Sequence, residues 1–264
     1  MEKKKIKAVI LCGGRGTRLR EETDYKPKPM VTIGSRPVIW HIMKLFSHFG
    51  IKDFIFCLGY KGEMIKDYFL NYEEMNSDFT IQLGSEHRPI FHTNHREKDW
   101  QVTLADTGEE AQTGSRVKKI EKYIDGDTFM VTYGDGVADI NIKKLLAFHK
   151  AHGKIGTVTG VHPSSRFGEI IQKDKRVLRF YEKPQTREDI VNGGFFVFKR
   201  KFFDYLEADD NCFLEGKPLE KLVARKQLMV YRHDGFWQCV DTYREYELLN
   251  ELWKTAKPPW KVWK

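Results

Sequence analysis

The sequence predicts an α/β protein, a Rossmann-like three-layer sandwich around a mixed, mainly parallel central sheet. Strand-like apolar runs alternate with segments of helical period through the first 160 residues. The first run, "IKAVILC", has no polar alternation, which is typical of a parallel strand covered on both faces. Two departures from this rhythm predict a protruding hairpin with a polar, His-rich middle at residues 78–107 and a small antiparallel extension after residue 167.

The elements follow one another in βαβα order, which favours parallel pairing of the strands. After the first strand, "RPVIWHIMKLFSHFG" has helical spacing with Pro near its start and Gly at its end. The runs "KDFIFCLGY" and "KGEMIKDYFL" predict the second strand and the second helix. Further along, the sequence predicts a strand and loop in "DTFMVTYGDG", a helix in "INIKKLLAFHKAHG" and a strand in "IGTVTGV".

The last hundred residues contain shorter strands and one long helix. The runs "GEIIQK", "RVLRFYEKP" and "NGGFFVFK" predict the strands of the antiparallel extension. The segment "DTYREYELLNELWKTA" predicts a helix, which a tail rich in Pro and Trp follows. No internal repeat or low-complexity tract interrupts the chain, so we predict a single domain over residues 1–264.

Composition limits the classes of partner. The formal net charge is +8 and the sequence pI is near 9.1, which favours an anionic partner such as nucleic acid, a membrane surface or phosphorylated small molecules. Much of the excess lies at the two ends of the chain, where solvated charge is sufficient explanation. No run is long and apolar enough to cross a bilayer, and the basic N-terminus lacks the features of a signal peptide.

The chain has four cysteines, Cys12, Cys57, Cys212 and Cys239, which are scattered without metal-type spacing. This pattern predicts reduced thiols in a cytoplasmic protein.

The loop after the first strand, "LCGGRGTRLREETDYKPKPM", is rich in glycine and positive charge. Open α/β sheets bind ligands at the carboxyl ends of their strands, and glycine there exposes backbone N–H groups to phosphate oxygens. The loop matches neither familiar phosphate motif, because Leu19 replaces the third glycine of a dinucleotide fingerprint and Thr17-Arg18 replaces the P-loop Lys-Ser/Thr pair. Taken alone, a purely structural glycine turn remains an alternative.

Two basic residues of this loop strengthen the prediction of a phosphate site. Arg18 can bind phosphate through two nitrogen atoms, and Lys28 supplies a compact charge. Because Lys28 lies between Pro27 and Pro29, we expect it to be held in an extended segment. A rigid lysine beside a phosphate loop indicates phosphoryl or nucleotidyl transfer, although a single solvated lysine would be unremarkable.

The motifs of the chain resemble, in the same order, those of the sugar-1-phosphate nucleotidyltransferases. The "KPKPM" form resembles the branch of that family that uses CTP and glucose 1-phosphate. The resemblance covers nearly the whole chain and rests on "GGRGTRL", "KPKPM", "WHIM", "WQVTLADTG", "YGDGVADI", "RFGEI", "EKP", "NGGFFV", "GFWQCVDT" and "PWKVW". Cys12 stands where the family usually has Ala.

The resemblance implies that CTP and glucose 1-phosphate give CDP-glucose and pyrophosphate with the help of Mg²⁺, early in the synthesis of surface polysaccharide such as O-antigen. It implies four catalytic residues, Arg18, Lys28, Asp135 and Asp241, of which the two aspartates would hold the metal. Taken alone, Asp135 could be a turn residue and Asp241 a helix N-cap. The two roles of Asp241 are compatible if Thr242 or water caps the helix.

The resemblance also divides the single domain into a nucleotide-binding part, at about residues 1–160, and a sugar-binding part with the antiparallel extension, at about residues 161–264. The implied nucleotide-binding residues are Leu11, Cys12, Gly13, Gly14, Arg15, Gly16, Thr17, Arg18, Lys28, Thr113, Gly114, Arg116 and Gly134. The implied sugar-phosphate residues are Arg166, Gly168, Glu182, Lys183, Asn192 and Gly193.

Two alternatives remain. The same chemistry with TTP or UTP is the nearer one. A basic module that binds nucleic acid is the other, but it requires clustered Lys and Arg with interleaved aromatics and leaves both aspartates without a role. We therefore expect no nucleic-acid partner and no membrane partner. The His-rich excursion and the Trp-rich tail favour a homo-oligomer.

Overall fold

The computed structural model of the chain describes residues 5–14, 16, 23, 25–84, 89–92, 95–163, 169–181 and 190–264. A seven-stranded sheet lies at its centre in the order β14-β10-β13-β8-β1-β4-β7, and only β13 runs antiparallel to the others. The prediction of a mixed, mainly parallel sheet is therefore confirmed. The strands are β1 (Ala8–Cys12), β2 (Thr32–Ile33), β3 (Arg36–Pro37), β4 (Asp53–Leu58), β5 (Phe79–Thr80), β6 (Ile90–Phe91), β7 (Gln101–Asp106), β8 (Thr128–Tyr133), β9 (Gly136–Ala138), β10 (Gly156–Val161), β11 (Glu169–Lys173), β12 (Arg176–Tyr181), β13 (Val191–Lys199), β14 (Leu228–His233) and β15 (Trp237–Cys239).

Helices cover both faces of this sheet. Three short 3₁₀ turns, at Lys28–Met30, Glu121–Tyr123 and Arg200–Tyr205, accompany them. The helices are α1 (Val38–His48), α2 (Gly62–Leu70), α3 (Tyr72–Asn76), α4 (Thr113–Lys119), α5 (Ile142–His152), α6 (Lys217–Ala224) and α7 (Tyr243–Lys254). Among the described residues, no helix is long and apolar enough to cross a membrane.

The first strand shows how three layers arise. All five residues of β1 are buried, and successive side chains point to opposite faces. Ile10 belongs to one apolar core, with residues of α1, α5 and α7, whereas Val9 belongs to a second core, with residues of α4 and α6. A strand buried on both faces has no need of polar alternation, which is why "IKAVILC" reads as continuous apolar sequence.

Three sequence predictions need adjustment. Residues 101–106 were expected within the hairpin excursion, but they form β7, the edge strand that pairs with β4. Among the described residues of the excursion before β7, the strands are the short antiparallel pair β5–β6. The run "NGGFFVFK" was assigned to the antiparallel extension, but it forms β13 in the middle of the central sheet. The pair β11–β12 forms the extension as predicted.

The C-terminal tail packs into the core of the first layer. Trp260 is fully buried, and its indole N–H donates to Nδ1 of His41 in α1 at 3.3 Å. Nε2 of His41 lies 3.1 Å from the carbonyl oxygen of Ile33. The two bonds require the neutral imidazole with its proton on Nε2, and burial lowers the pKa of His41 to about 4. The tail is therefore tied to α1 through a buried neutral histidine.

Candidate functional site

The glycine loop lies at the carboxyl ends of β1 and β8, where a parallel sheet places ligands. A cavity of about 220 Å³ opens there, and we call it the first cavity. Most of the described residues that were predicted to bind nucleotide line it. Its lining consists of Leu11, Cys12, Gly13, Gly14, Gly16, Lys28, Pro29, Thr113, Arg116, Tyr133, Gly134 and Asp135.

Arg116 supports the glycine loop from inside the protein. The residue is 4% exposed, and its guanidinium donates five hydrogen bonds, all to neutral oxygens. The five acceptors are the carbonyls of Gly13 (3.2 Å), Leu58 (2.9 Å), Gly108 (2.8 Å) and Glu109 (3.0 Å) and the hydroxyl of Thr107 (2.8 Å).

The guanidinium of Arg116 also explains why position 13 is a glycine. A Cβ atom at Gly13 would lie 2.0 Å from Cζ of Arg116, so a larger residue there would displace the guanidinium from its hydrogen bonds. Burial lowers the pKa of Arg116, but an arginine keeps its charge near neutral pH. The result is a fixed positive charge behind the loop. The family resemblance implies that Arg116 binds nucleotide, and the structure shows that it holds the backbone of the cavity wall.

A second cavity of about 530 Å³ adjoins the first. Thr113, Tyr133 and Asp135 line both cavities, so these three residues mark the boundary between them. The lining of the second cavity consists of Thr113, Thr132, Tyr133, Asp135, Gly136, Asn192, Gly193, Gly194, Phe195, Trp237, Cys239 and Asp241.

A short antiparallel ladder brings Asp135 and Asp241 together. Strand β9 begins immediately after Asp135 and pairs with β15, which ends two residues before Asp241. The ladder continues for one more bond, from the backbone N–H of Val240 to the carbonyl of Asp135 at 2.8 Å. Two residues far apart in sequence thus meet at the carboxyl end of β8.

Lys28 lies between the two carboxylates. Its ammonium donates to Oδ2 of Asp135 at 2.6 Å and to Oδ1 of Asp241. Burial alone would lower the pKa of Lys28, but the two aspartates outweigh that effect and raise it. The lysine was expected in an extended segment, but it begins a 3₁₀ turn with Met30 N–H bonded to Pro27 at 2.8 Å. Pro29 fits the first turn of such a helix because its missing N–H would have no partner there.

The cap of helix α7 settles the second role considered for Asp241. Thr242 is the N-cap, and its hydroxyl accepts from the N–H of Glu245. The Glu245 carboxylate accepts in turn from the N–H groups of Asp241 (2.8 Å) and Thr242 (2.9 Å). This reciprocal pair is a capping box. The helix therefore does not need the Asp241 carboxylate as its cap.

The remaining predicted residues fall into three groups. Asn192 and Gly193 line the second cavity. Gly114 lines neither cavity, because it packs in α4 against Cys212, whose carbonyl oxygen would lie 2.7 Å from an added Cβ. The other predicted residues lie outside the described part of the chain: Arg15, Thr17, Arg18, Arg166, Gly168, Glu182 and Lys183.

Sequence reasoning missed two side chains that line the site and one that supports them from outside. Tyr133 forms part of the wall that the cavities share, and Trp237 lines the second cavity and donates to the carbonyl of Gly193 at 2.8 Å. Glu215 accepts hydrogen bonds from Tyr133 and Thr113. The position of Tyr133 directly before Gly134-Asp135 was an available signal, whereas nothing in the local sequence marks Glu215.

Comparison with known proteins identifies the family. A family model described as nucleotidyl transferase matches residues 7–252. The chain belongs to the nucleotidyl transferase family. Glucose-1-phosphate cytidylyltransferase of Salmonella typhimurium is 48% identical over 259 residues, which cover 98% of this chain and 100% of that protein. The enzyme of the same name from Salmonella typhi matches with the same identity and coverage.

A solved structure gives independent support for the fold of this nucleotidyl transferase family member. The UDP-glucose pyrophosphorylase complexed with UDP-glucose has a TM-score of 0.68 and 15% identity, and the match covers 96% of this chain and 100% of that one.

The two carboxylates suit a magnesium ion. They lie side by side around one cationic group, partly exposed at the boundary of the two cavities. In the described part of the chain, no group of three or more His, Cys, Asp or Glu side chains is arranged to hold a metal. Mg²⁺ often takes one or two protein carboxylates and completes its shell with water and substrate phosphate. The donor set at Asp135 and Asp241 fits that coordination.

Proposed function

We propose that the protein joins CTP and α-D-glucose 1-phosphate to give CDP-glucose and pyrophosphate. An oxygen of the sugar phosphate attacks the α-phosphorus of CTP, and the bond between that phosphorus and the oxygen bridging to the β-phosphate breaks. The observation that carries the proposal is the meeting of Lys28, Asp135 and Asp241 where two cavities join. The name of the full-length relatives at 48% identity supports the choice of both substrates.

The first cavity holds the nucleotide in this proposal. Its glycine loop presents backbone to the phosphates, and the fixed charge of Arg116 lies directly behind that backbone. Thr113 lines the same cavity and is one of the nucleotide-binding residues that the family resemblance implies. Arg15, Thr17 and Arg18 are assigned to the phosphates from the sequence alone.

The second cavity holds the sugar phosphate. Asn192 and Gly193 line it at the start of β13, and Trp237 fixes the Gly193 carbonyl. Arg166, Gly168, Glu182 and Lys183 complete this side from the sequence. The reacting oxygen and phosphorus then meet beside Asp135, which both cavities share.

Lys28 neutralises the charge that develops as pyrophosphate leaves. The attacking phosphate is already an anion near neutral pH, so the reaction depends on positioning and charge more than on a base. The raised pKa of Lys28 keeps the ammonium charged in the working range. Asp135 and Asp241 would hold Mg²⁺, and when bound it would supply positive charge next to the transferred phosphate.

A pyrophosphate-release assay tests the proposal. The four nucleoside triphosphates are each paired with several sugar 1-phosphates in the presence of Mg²⁺. We expect CTP with glucose 1-phosphate to have the highest kcat/KM, and Asp135→Asn to abolish its signal. A higher value for TTP or UTP would transfer the proposal to that nucleotide, and release with no pair would overturn it.

We further propose a homo-oligomer that acts in the cytoplasm and feeds the synthesis of CDP-linked deoxysugars for surface polysaccharide. The surface around α2 and the β5–β6 hairpin exposes large apolar side chains, among them Leu70 (77% exposed), Leu83 (87%) and Ile90 (65%). Clustered exposure of this kind favours protein contacts. Sedimentation velocity that gives the monomer mass at all concentrations would contradict the oligomer.

A further inference from the structure

A continuous chain of hydrogen bonds links the two cavities. Nδ2 of Asn192 donates to the hydroxyl of Tyr133 at 3.1 Å, and that hydroxyl donates to Oε1 of Glu215. From the other side, the hydroxyl of Thr113 donates to Oε2 of Glu215 at 2.7 Å, and the N–H of Leu214 donates to Thr113 at 2.9 Å. The Glu215 carboxylate therefore joins two series of hydrogen bonds. One begins at Asn192 in the second cavity, and the other begins at Leu214 and passes through Thr113, the first residue of α4.

The direction of every bond in this chain is fixed. An ionised carboxylate only accepts, so both hydroxyls must donate to Glu215. Burial and the neighbouring Glu215 raise the pKa of Tyr133, which keeps its proton in place. Glu215→Gln would replace one acceptor with a donor, so one of the two hydroxyls would have to accept from the amide and its own proton would lose this acceptor.

The residues joined by these hydrogen bonds differ in which cavity they line. Tyr133 and Thr113 line both cavities, and Asn192 lines the second. Glu215 is exposed and lines neither cavity, and its hydrogen bonds to the two hydroxyls connect it to both.

The loop that carries Glu215 has its own attachment. The carbonyl of Asp210 accepts from the N–H of Gln112 at 2.8 Å, and the carbonyl of Cys212 accepts from the N–H of Ser115 at 3.0 Å. These backbone bonds do not involve the Glu215 side chain. A substitution of that side chain is therefore expected to leave the loop docked and the protein folded.

We propose that Glu215 is a positioning residue that couples the filling of the first cavity to the filling of the second. The proposal rests on the proposed function only in taking nucleotide and sugar phosphate as the two ligands. A ligand that orders Thr113 also orders Glu215 and, through it, Tyr133. The second ligand then meets a wall whose position is already set, and its binding loses less conformational entropy.

Calorimetry on the full-length protein tests the coupling. The probes are a CTP analogue with a non-cleavable methylene bridge between its α- and β-phosphates, and glucose 1-phosphate. Each is titrated alone and in the presence of a saturating amount of the other. If the product assay favours another substrate pair, the corresponding probes of that pair are used, so a wrong substrate assignment does not affect the test.

We expect each ligand to tighten the binding of the other in wild type by the same factor, about tenfold, since coupling is reciprocal. Glu215→Gln and Tyr133→Phe should each reduce this factor toward one. For Glu215→Gln, the dissociation constant of each ligand alone and the Tm should stay near wild type. Glu220→Gln, an exposed change on the following helix, is the matched control and should retain the full factor.

Three results would overturn the proposal. They are absence of coupling in wild type, full coupling in Glu215→Gln, and a Glu215→Gln protein that binds each single ligand poorly with a lowered Tm. The last result would make Glu215 a structural residue only. Failure of the proposed function looks different, because wild type would then release no pyrophosphate from any pair.

Discussion

Lys28 and Asp135 are joined at 2.6 Å by an ammonium–carboxylate hydrogen bond, although 107 positions separate them in the chain. The same ammonium also binds Asp241, so one positive charge serves two carboxylates. Such a group holds the carboxylates together in the absence of metal and offers positive charge to a phosphate that enters. The effect of Lys28 on catalysis can therefore be tested by kinetics, and its effect on the two carboxylates by metal binding.

Lys28→Ala should lower turnover far more than it weakens CTP binding. The ammonium acts most strongly on the charge that develops as pyrophosphate leaves, and the loss of one such contact costs about 10²–10³ in rate. Steady-state kinetics of kcat and KM measure the effect. Lys26→Ala, in the same Lys-Pro repeat, is the control and should keep turnover near wild type. Near-normal turnover of Lys28→Ala with only a raised KM would exclude this role.

The same substitution should strengthen metal binding without nucleotide. With the ammonium removed, the two carboxylates repel each other and attract a divalent cation more strongly. Mn²⁺ titration followed by electron paramagnetic resonance should give a lower dissociation constant for Lys28→Ala than for wild type. The gain should vanish in Lys28→Ala/Asp241→Asn. If wild type and Lys28→Ala bound Mn²⁺ equally, Asp135 and Asp241 would not be the metal ligands.

Asp135→Asn and Asp241→Asn should each abolish most activity, and the double variant should be little worse than either single one. Groups that act as a unit give non-additive losses. Thr242→Ala is the structural control, since it removes the cap of α7, costs about 1 kcal/mol of stability and leaves the carboxylate in place. Additive losses in the double variant would mean that the aspartates act independently.

Arg116→Met should destabilise the protein and disturb the glycine loop. The five oxygens that Arg116 binds would lose their donor in a buried site, which we expect to cost at least about 3 kcal/mol. Urea unfolding measures the loss, and Arg225→Met, a change at an exposed arginine, should cost far less. Equal stabilities of the two variants would contradict the conclusion that Arg116 supports the glycine loop.

Stability should fall as the pH drops from about 6.5 toward 4. His41 has a pKa of about 4 in the folded protein and an ordinary value near 6.5 when unfolded, so only the unfolded state takes up a proton in this window. The difference between the folded and unfolded pKa values of His41 corresponds to a loss of about 3 kcal/mol in the free energy of unfolding. Urea unfolding at several pH values should give a shallower dependence for His41→Gln. Part of the dependence should remain, because burial also lowers the pKa of His149, to about 4, and that of His152. An unchanged slope in His41→Gln would refute this account.

The sequence predicted the buried strands and amphipathic helices well, because their apolar periods reflect burial directly. It misplaced β7, whose mixture of exposed and half-buried positions reads as hairpin. It also misassigned β13, because antiparallel pairing inside a parallel sheet depends on partners far away in the chain. Neither feature has a local signal.

The residues of the candidate site also include some that the sequence could predict and some that it could not. The glycine loop, Lys28 and the two aspartates could be predicted, since each lies in a distinctive motif or ends an apolar run. The meeting of Asp135 with Asp241 depends on three-residue strands that pair across a hundred positions. Glu215 lies in an unremarkable loop, and only the folded chain brings it to Tyr133 and Thr113.

The ladder between β9 and β15 has a consequence for synthesis on the ribosome. The N-terminal part of a chain emerges and folds first, so the glycine loop, Lys28 and Asp135 are made long before Asp241. A nascent chain that stops between them would lack the Asp241 carboxylate and the Trp260 anchor. The pair of carboxylates can therefore form only after β15 has been made, near the end of synthesis.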